Sequence, residues 1–337
     1  MSSNQDLVTG FKKPHKSVVV AYDLALDQSM YRVPDKVLKE IKEEFDVEFD
    51  PVNCPNKRKF NPNAEIYWGN RIEENMLILM PNLKWVHFGS VGINRLRNYQ
   101  KNNLIISSSK GLVTDSMVTH IISLIGIFSR KIDIFFLKKN KPPTRDDYDL
   151  HFQDLKNFNE LKILILGLGN IGSNLSEKLF YLGCHVDSFA RTKRQNRFVS
   201  KQFLSLNSID KLNQYDFVIS LLPENKETVN IINKVFLNRL NPNAIFINMG
   251  RGTTVVEDHL LEALDNNDLK MAILDVTAKE PIPLDSDIYK NPKVFFTPHI
   301  ASFSPSYWDR QKKIFKHNLK CYLENKIKNM INLEKYN

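Results

Sequence analysis

The chain has 337 residues, which at about 150 residues per domain predicts two domains and a core large enough to need no disulfides. Hydrophobic residues make up 42% of the chain and charged residues 25%, which excludes a fibrous or a disordered protein. The formal net charge is +9, but the basic residues are scattered and no nucleic-acid motif surrounds them, so nucleic-acid binding is not expected.

Cysteine usage and hydropathy predict the compartment. Cys54, Cys184 and Cys321 lie far apart without a C-x-x-C spacing, which indicates reduced thiols and no zinc or other metal site. The most apolar stretch, residues 121–137, contains three charged residues, so we expect a buried helix and no membrane span. The first residues lack the apolar core of a signal peptide, and a cytoplasmic location is therefore expected.

The predicted elements alternate between strand and helix. Residues 17–22 form a short β-branched run, residues 36–45 have helical periodicity, and residues 85–88 form a second apolar run. Residues 161–166 then predict a strand that is followed by a glycine turn, an amphipathic helix and the strand-like run HVDSF. This is a βαβ unit.

Further strand-like runs, separated by segments with helical spacing, follow at residues 217–221, 244–247, 272–276 and 294–296. The alternation predicts an α/β protein with a doubly wound parallel sheet, which is a Rossmann dinucleotide domain.

A G-x-G-x-x-G motif lies directly after the first strand of this βαβ unit. It consists of Gly167, Gly169 and Gly172, with Asn170 and Ile171 between the last two. The first glycine permits a tight turn, the second lets the backbone approach a pyrophosphate, and the third allows close packing of helix on strand. The helix N-terminus adds free N–H groups and partial positive charge, so we expect these residues to bind a dinucleotide.

The segment after the second strand predicts which dinucleotide is bound. Where NAD enzymes carry an acidic residue, this chain has Ala190, followed by the segment Arg191, Thr192, Lys193 and Arg194. Guanidinium groups match the oxygens of a 2′-phosphate, so the cations favour NADP over NAD. NAD remains possible, because Asp187 lies nearer to the nominal spacing of the ribose-binding acid; a solvated basic loop is the other alternative.

Three polar residues each follow a predicted strand of the same sheet: Arg251, Glu280 and His299. Because ligands bind outside the carboxyl ends of parallel strands, these side chains are expected to converge. Reduction of a carbonyl needs an acid whose pKa is near the working pH, which histidine provides. A nearby carboxylate would keep the imidazole protonated, and an arginine fork can hold carboxylate and carbonyl oxygens together.

With these motifs the chain resembles the D-isomer-specific 2-hydroxyacid dehydrogenase family, and within it the glyoxylate/hydroxypyruvate reductase branch. The resemblance covers roughly residues 85–305 and is strongest from Leu161 onward. It implies that Arg251 binds the substrate, that His299 transfers the proton and that Glu280 is the partner of the histidine. It also implies substrate contacts from the backbone of Val91 and Gly92, and further cofactor contacts from Leu222, Pro223, Thr228, Met249 and Asp275.

We therefore expect a smaller, flavodoxin-like α/β substrate domain in residues 1–110, completed by residues 301–337, with the dinucleotide-binding domain in residues 111–300 and the active site in the cleft between them. The expected reaction is NADPH-dependent reduction of a small 2-keto acid, such as glyoxylate or hydroxypyruvate, to the (R)-2-hydroxy acid. The resemblance further implies a homodimer, with residues 121–136 as a candidate interface helix.

Two other functions stay open at this point. One is an NAD-linked dehydrogenase of a bulkier D-2-hydroxy acid. The other is a dinucleotide-sensing interaction protein without turnover, similar to the C-terminal binding protein corepressors, which share the fold. Turnover of a panel of 2-keto acids would separate the two classes.

Overall fold

The computed structural model describes residues 17–23, 33–52, 60–69, 78–89, 104–134, 144–149 and 152–333. The chain divides into two units, which are Met1–Lys110 with Ser306–Asn337, and Gly111–Pro305. We call them the smaller and the larger unit.

Twelve strands and eight helices are formed by the described residues. The strands are β1 (Val18–Asp23), β2 (Val47–Pro51), β3 (Ile66–Gly69), β4 (Trp85–Phe88), β5 (Ile105–Ser108), β6 (Lys162–Leu166), β7 (His185–Phe189), β8 (Lys201–Phe203), β9 (Phe217–Ser220), β10 (Ile245–Asn248), β11 (Met271–Leu274) and β12 (Val294–Phe296). The helices are α1 (Asp35–Lys42), α2 (Thr114–Ser129), α3 (Arg145–Asp149), α4 (Asn170–Tyr181), α5 (Lys234–Leu237), α6 (Glu257–Asp265), α7 (Asp287–Lys290) and α8 (Tyr307–Leu323).

The smaller unit contains a five-stranded sheet in the order β2-β1-β3-β4-β5, and every pair is parallel. This is the order of flavodoxin-like sheets. Buried side chains pack on both of its faces, as a parallel sheet requires. On one face Phe315 of α8 stacks on Trp68 with ring centroids 3.9 Å apart, and on Trp85 at 5.5 Å. The carboxyl-terminal part of the chain therefore supplies a large share of this core.

The larger unit contains a seven-stranded parallel sheet in the order β12-β11-β10-β9-β6-β7-β8. Read from β6, this is the 3-2-1-4-5-6 Rossmann order with one added strand. Alternate residues of each strand point to opposite faces: Leu164 and Leu166 pack in a core covered by α6, and Ile163 and Ile165 pack in a core covered by α2 and α4. The predicted fold class is thus confirmed for both units.

Helix α2 begins at Thr114 and ends at Ser129, so it is displaced toward the amino terminus from the predicted 121–136 segment. Its buried residues pack against the sheet of the larger unit. None of the helices in the described ranges is both long enough and apolar enough to cross a membrane.

A buried polar network lies at the carboxyl ends of β4 and β5 in the smaller unit. His87 is fully buried, with Nδ1 2.7 Å from Ser107 Oγ and Nε2 3.3 Å from Ser109 Oγ. Ser109 donates to Gln311 of α8, whose amide donates in turn to the carbonyl of Gly89. Because burial disfavours the charged form, the pKa of His87 is lowered to about 3.

This network predicts a contribution to stability that depends on pH. Below about pH 6.5 the unfolded chain takes up a proton that the folded His87 cannot bind, so the free energy of unfolding falls by about 1.4 kcal/mol per pH unit as pH drops toward 3. The variant His87→Gln should lose this slope, whatever its stability at neutral pH. Urea unfolding at pH 7, 6 and 5 measures the slope, and His317→Gln, an exposed histidine of the same unit, is the matched control. An unchanged slope in His87→Gln would contradict the assignment.

Candidate functional site

The glycine turn forms the junction of β6 and α4 in the larger unit. Gly167 has φ +108°, and a Cβ there would lie 3.0 Å from the carbonyl oxygen of Leu221. A Cβ on Gly172 would lie 2.1 Å from the carbonyl oxygen of Gly167, so only glycine permits this approach of helix to strand. Gly169 is the N-cap of α4 and faces open space. The α4 N-terminus is therefore accessible to an anion, with Asn170 and Ile171 in its first turn.

A cavity of about 590 Å³ opens at this turn, at the carboxyl ends of β6 and β9. The strand order reverses between these two strands, which is where doubly wound sheets bind ligands. The predicted cofactor residues that line it are Gly167, Gly169, Arg191, Thr192, Arg194, Leu222, Pro223 and Thr228. The remaining residues of the prediction, which are Asn170, Ile171, Gly172, Lys193, Met249 and Asp275, do not line it.

The basic segment after β7 is ordered by a neighbouring strand. Gln202 of β8 donates to the carbonyl of Thr192 and accepts from the backbone N–H of Arg194. Arg191 forms an ion pair with Glu227, which also lines the cavity. Neither Glu227 nor Gln202 belongs to a sequence motif, so no local pattern marks them as site residues. The position of Glu227 directly before Thr228, a predicted cofactor contact, is the one available signal.

Asp187, the alternative ribose ligand, lies inside β7 and is 3% exposed. It accepts a hydrogen bond of 2.7 Å from Tyr215 Oη and is not among the residues that line the cavity. Burial, reinforced by this carboxylate, raises the pKa of Tyr215. The strand continues to Phe189, so Asp187 belongs to the core and its carboxylate is used there.

Thr228 fixes the turn after β9, whereas Met249 lies in the core. The hydroxyl of Thr228 donates to the carbonyl of Pro223 at 2.5 Å and accepts from the N–H of Asn225, which closes the turn after β9. Met249 is 2% exposed and packs in the core beneath α2 and α4.

The three residues predicted to converge follow the adjacent strands β10, β11 and β12. His299 Nδ1 lies 2.7 Å from Glu280 Oε2. The carbonyl of Arg251 accepts hydrogen bonds from Asn248 Nδ2 and Thr254 Oγ1, and its guanidinium donates to the carbonyl of Gly250. The charge of Arg251 also influences the pKa of both other groups, so the three form one electrostatic cluster.

The histidine and the carboxylate shift each other's pKa. The hydrogen bond to Glu280 raises the pKa of His299 above its ordinary value, against the opposing effects of partial burial and Arg251. For Glu280, partial burial raises the pKa, but the hydrogen bond and charge of His299, with Arg251 and the N–H of Thr277, lower it overall. Both side chains remain partly exposed, at 50% and 39%. The contact thus favours the protonated form of an accessible imidazole.

Asp275 fixes the loop that carries His299. Its carbonyl accepts from the N–H of His299 at 3.0 Å, and its buried carboxylate accepts from Thr297 Oγ1 and from the N–H groups of Ile300 and Ala301. His299 has φ +54°, a left-handed conformation that a non-glycine residue keeps only where its surroundings impose it. Asp275, predicted as a cofactor contact, therefore acts here as a positioning residue, and its cofactor contact stays a prediction.

Val91 and Gly92, the predicted substrate contacts, lie outside the described residues. The carbonyl of Gly89, two residues before Val91, accepts hydrogen bonds from Tyr307 Oη and Gln311 Nε2 of α8. Within the described ranges, no group of three or more His, Cys, Asp or Glu side chains could hold a metal ion.

Comparisons with known proteins relate part of the chain to one protein family. Residues 143–301 match the family described as "D-isomer specific 2-hydroxyacid dehydrogenase, NAD binding domain". Over 147 residues the chain is 40% identical to glyoxylate/hydroxypyruvate reductase A of Escherichia fergusonii. That match spans 42% of this chain and 46% of the relative, which is less than half of the relative's length.

Two solved structures show how far the fold is shared. A D-isomer specific 2-hydroxyacid dehydrogenase from Xanthobacter autotrophicus, in complex with NADPH and MES, has a TM-score of 0.79 at 20% identity, over 95% of this chain and 98% of that chain. An NADPH-dependent glyoxylate/hydroxypyruvate reductase from Sinorhizobium meliloti, in complex with NADP and sulfate, has a TM-score of 0.75 at 21% identity, over 94% and 98%. At these identities the likeness establishes the fold alone.

The His299–Glu280 contact predicts a measurable change in titration. Because the hydrogen bond from Glu280 raises the pKa of His299, the variant Glu280→Gln should lower that pKa toward about 6.5. The pH dependence of the imidazole Cε1–H resonance measures it. Glu257→Gln is the matched control, since Glu257 accepts from the neighbouring N–H of Ala278. Equal titration of His299 in the wild type and in Glu280→Gln would contradict the coupling.

Proposed function

Because residues 143–301 belong to the D-isomer specific 2-hydroxyacid dehydrogenase family through its NAD-binding domain, we propose that the chain reduces a small 2-keto acid to the (R)-2-hydroxy acid with NADPH. The observation that carries the proposal is the contact of His299 with Glu280 beside Arg251, on the edge of the sheet that also carries the glycine turn. The curated relative is named glyoxylate/hydroxypyruvate reductase A, and its name supports glyoxylate or hydroxypyruvate as the substrate.

The cavity at the glycine turn fits a phosphorylated dinucleotide. Its open floor at Gly169 leaves room for a pyrophosphate at the N-terminus of α4, and Arg191 and Arg194 line the same cavity. An arginine fork binds a phosphate in bidentate geometry, which supports NADP as the cofactor. When bound, the reduced nicotinamide supplies the hydride.

Each residue of the cluster has one task in the proposed reaction. Arg251 binds the carboxylate of the keto acid and stabilises the negative charge that develops on the carbonyl oxygen. His299 donates a proton from its imidazolium to that oxygen, so that the alkoxide is not released as such. Glu280 keeps the imidazolium populated near neutral pH and orients the ring through Nδ1, which leaves Nε2 to face the substrate.

The family resemblance also supports a homodimer, with the segment 121–136 as its candidate interface. A cytoplasmic location is a further proposal, which rests on the three widely spaced cysteines.

A panel of 2-keto acids, assayed with NADPH and with NADH, tests the proposed function. We expect turnover of glyoxylate or hydroxypyruvate with NADPH, and a loss of about 10²- to 10⁴-fold in kcat for His299→Gln, because a positioned general acid contributes that much. In the reduction direction the rate should fall as pH rises through the raised pKa of His299. Tight dinucleotide binding without turnover of any acid would instead indicate a sensor.

The ion pair between Arg191 and Glu227 predicts opposite effects of two substitutions on cofactor choice. Arg191→Ala removes a cation that would face the 2′-phosphate. It should weaken the binding of NADPH by about 1.5–3 kcal/mol and change the binding of NADH little. Glu227→Gln removes a carboxylate that competes for Arg191 and repels the phosphate, so NADPH should bind more tightly. Dissociation constants from fluorescence titration measure both.

Two variants serve as controls for cofactor choice. The first is Glu224→Gln, because Glu224 is on the same loop as Glu227 but does not line the cavity. The second is Asp187→Asn, because Asp187 is buried in the core. Neither should change the ratio of the two dissociation constants. A large loss of NADH affinity in Asp187→Asn would return Asp187 to the role of ribose ligand.

A further inference from the structure

A second cavity lies at the opposite edge of the larger sheet. It has a volume of about 220 Å³ and is bounded by residues at the amino ends of β6, β9 and β10 and at the carboxyl end of α2. Three lysines and two aspartates line it: Lys131, Lys156, Lys270, Asp154 and Asp216. We call it the lysine cavity. The proposed reaction uses none of these residues.

The charges of the lysine cavity are not balanced. Lys156 and Asp216 pair one to one, with Nζ 2.5 Å from Oδ1. The other two ammonium groups share a single carboxylate oxygen, because Lys131 Nζ and Lys270 Nζ each lie 3.6 Å from Asp154 Oδ2. Of the residues that line the cavity, three therefore carry a positive charge and two a negative charge, whereas Asp133, which also acts on Lys131, does not line it.

Lys131 is held in this place at a conformational cost. It lies just beyond the end of α2 with φ +55°, and the N–H of the next residue, Ile132, donates to the carbonyl of Ile127 as in a Schellman motif. Glycine or asparagine usually occupies this position, because other residues adopt the left-handed conformation only at a cost in free energy. The Lys131 side chain is nevertheless only 11% exposed.

A lysine is unusual among the residues of this chain that have a left-handed backbone conformation. In the described part of the chain, four of the six non-glycine residues with positive φ are asparagines, Asn230, Asn267, Asn325 and Asn332. The remaining two are His299, placed in the proposed active site, and Lys131. Strained residues of this kind cluster at functional sites. Asparagine would end the helix with less backbone strain than lysine. The presence of lysine at this position therefore points to a role for its ammonium group.

From this geometry we propose that the lysine cavity binds a small oxyanion with two negative charges, of the phosphate type. The anion would receive charge-assisted hydrogen bonds from Lys131 and Lys270, whose ammonium groups share one carboxylate oxygen of Asp154. Lys156 would add to the attraction from the far side of the cavity. The site is separate from the dinucleotide cavity, which lies at the carboxyl edge of the same sheet.

Protonation of Lys131 gives this site a pH dependence. Burial and the neighbouring Lys270 lower the pKa of Lys131 to about 8, whereas Asp154 and Asp133 act in the opposite direction. The ammonium form binds the anion, so affinity should fall as pH rises through about 8. Lys156 and Asp216 also face the cavity and are paired with each other. Sulfate is the suitable probe, because its charge is constant over this range.

Isothermal titration calorimetry with sodium sulfate tests the proposal, with chloride used to hold ionic strength constant. The variant Lys131→Asn removes the ammonium group and keeps a residue that tolerates the left-handed conformation, so it should fold and bind sulfate at least tenfold more weakly. Lys270→Met should weaken binding similarly. Lys162→Met, an exposed lysine at the same edge that does not line the cavity, is the matched control and should bind like the wild type.

Further measurements identify the class of ligand. Because all variants keep the glycine turn, anion binding there is the same in each of them, and only the sulfate binding that is lost in Lys131→Asn is assigned to the lysine cavity. Inorganic phosphate and glycerol 3-phosphate are titrated in parallel, and tighter binding of the ester would indicate a phosphorylated metabolite. Equal sulfate binding by the wild type and Lys131→Asn, or unchanged affinity between pH 7 and pH 9, would overturn the proposal. Neither result depends on reductase activity.

Discussion

All seven strands of the larger sheet run in one direction, and their order reverses between β6 and β9. Parallel strands bring their carboxyl ends to one edge, and the reversal makes the chain leave the two central strands toward opposite faces. The glycine turn and the turn after β9 therefore flank a cavity that is formed by the path of the backbone. The same direction brings the ends of β10, β11 and β12 to that edge, so Arg251, Glu280 and His299 follow strands that are neighbours in space.

Convergence alone does not fix the orientation of a catalytic side chain, and a second layer of contacts supplies it. The buried carboxylate of Asp275 holds three groups of the loop after β12, and Asn248 and Thr254 hold the carbonyl of Arg251. Gln202 does the same for the basic segment from the edge strand β8. In each case a polar residue sets the direction of another residue that is proposed to bind a ligand.

The sequence predicts those parts of the structure that follow from local patterns. The glycine spacing and the apolar run before it place the β6–α4 junction, and strand ends place the three proposed catalytic residues at one edge. Tertiary contacts are not predicted in this way. Strand β8 has three residues, two of them polar, so no apolar run marks it. Glu227 meets Arg191, and Lys131 meets Lys270, only because the fold brings distant segments together.

The contribution of α8 to the smaller unit has a consequence for synthesis on the ribosome. Strands β1 to β5 are translated first, but the ring that stacks on Trp68 and Trp85 is Phe315, which emerges only after the whole larger unit has been made. At about 5–20 residues per second, the roughly 200 intervening residues correspond to tens of seconds in which that apolar face is covered by α1 but not by α8. The larger unit can complete its own core during this interval, whereas the sheet that is made first is completed last.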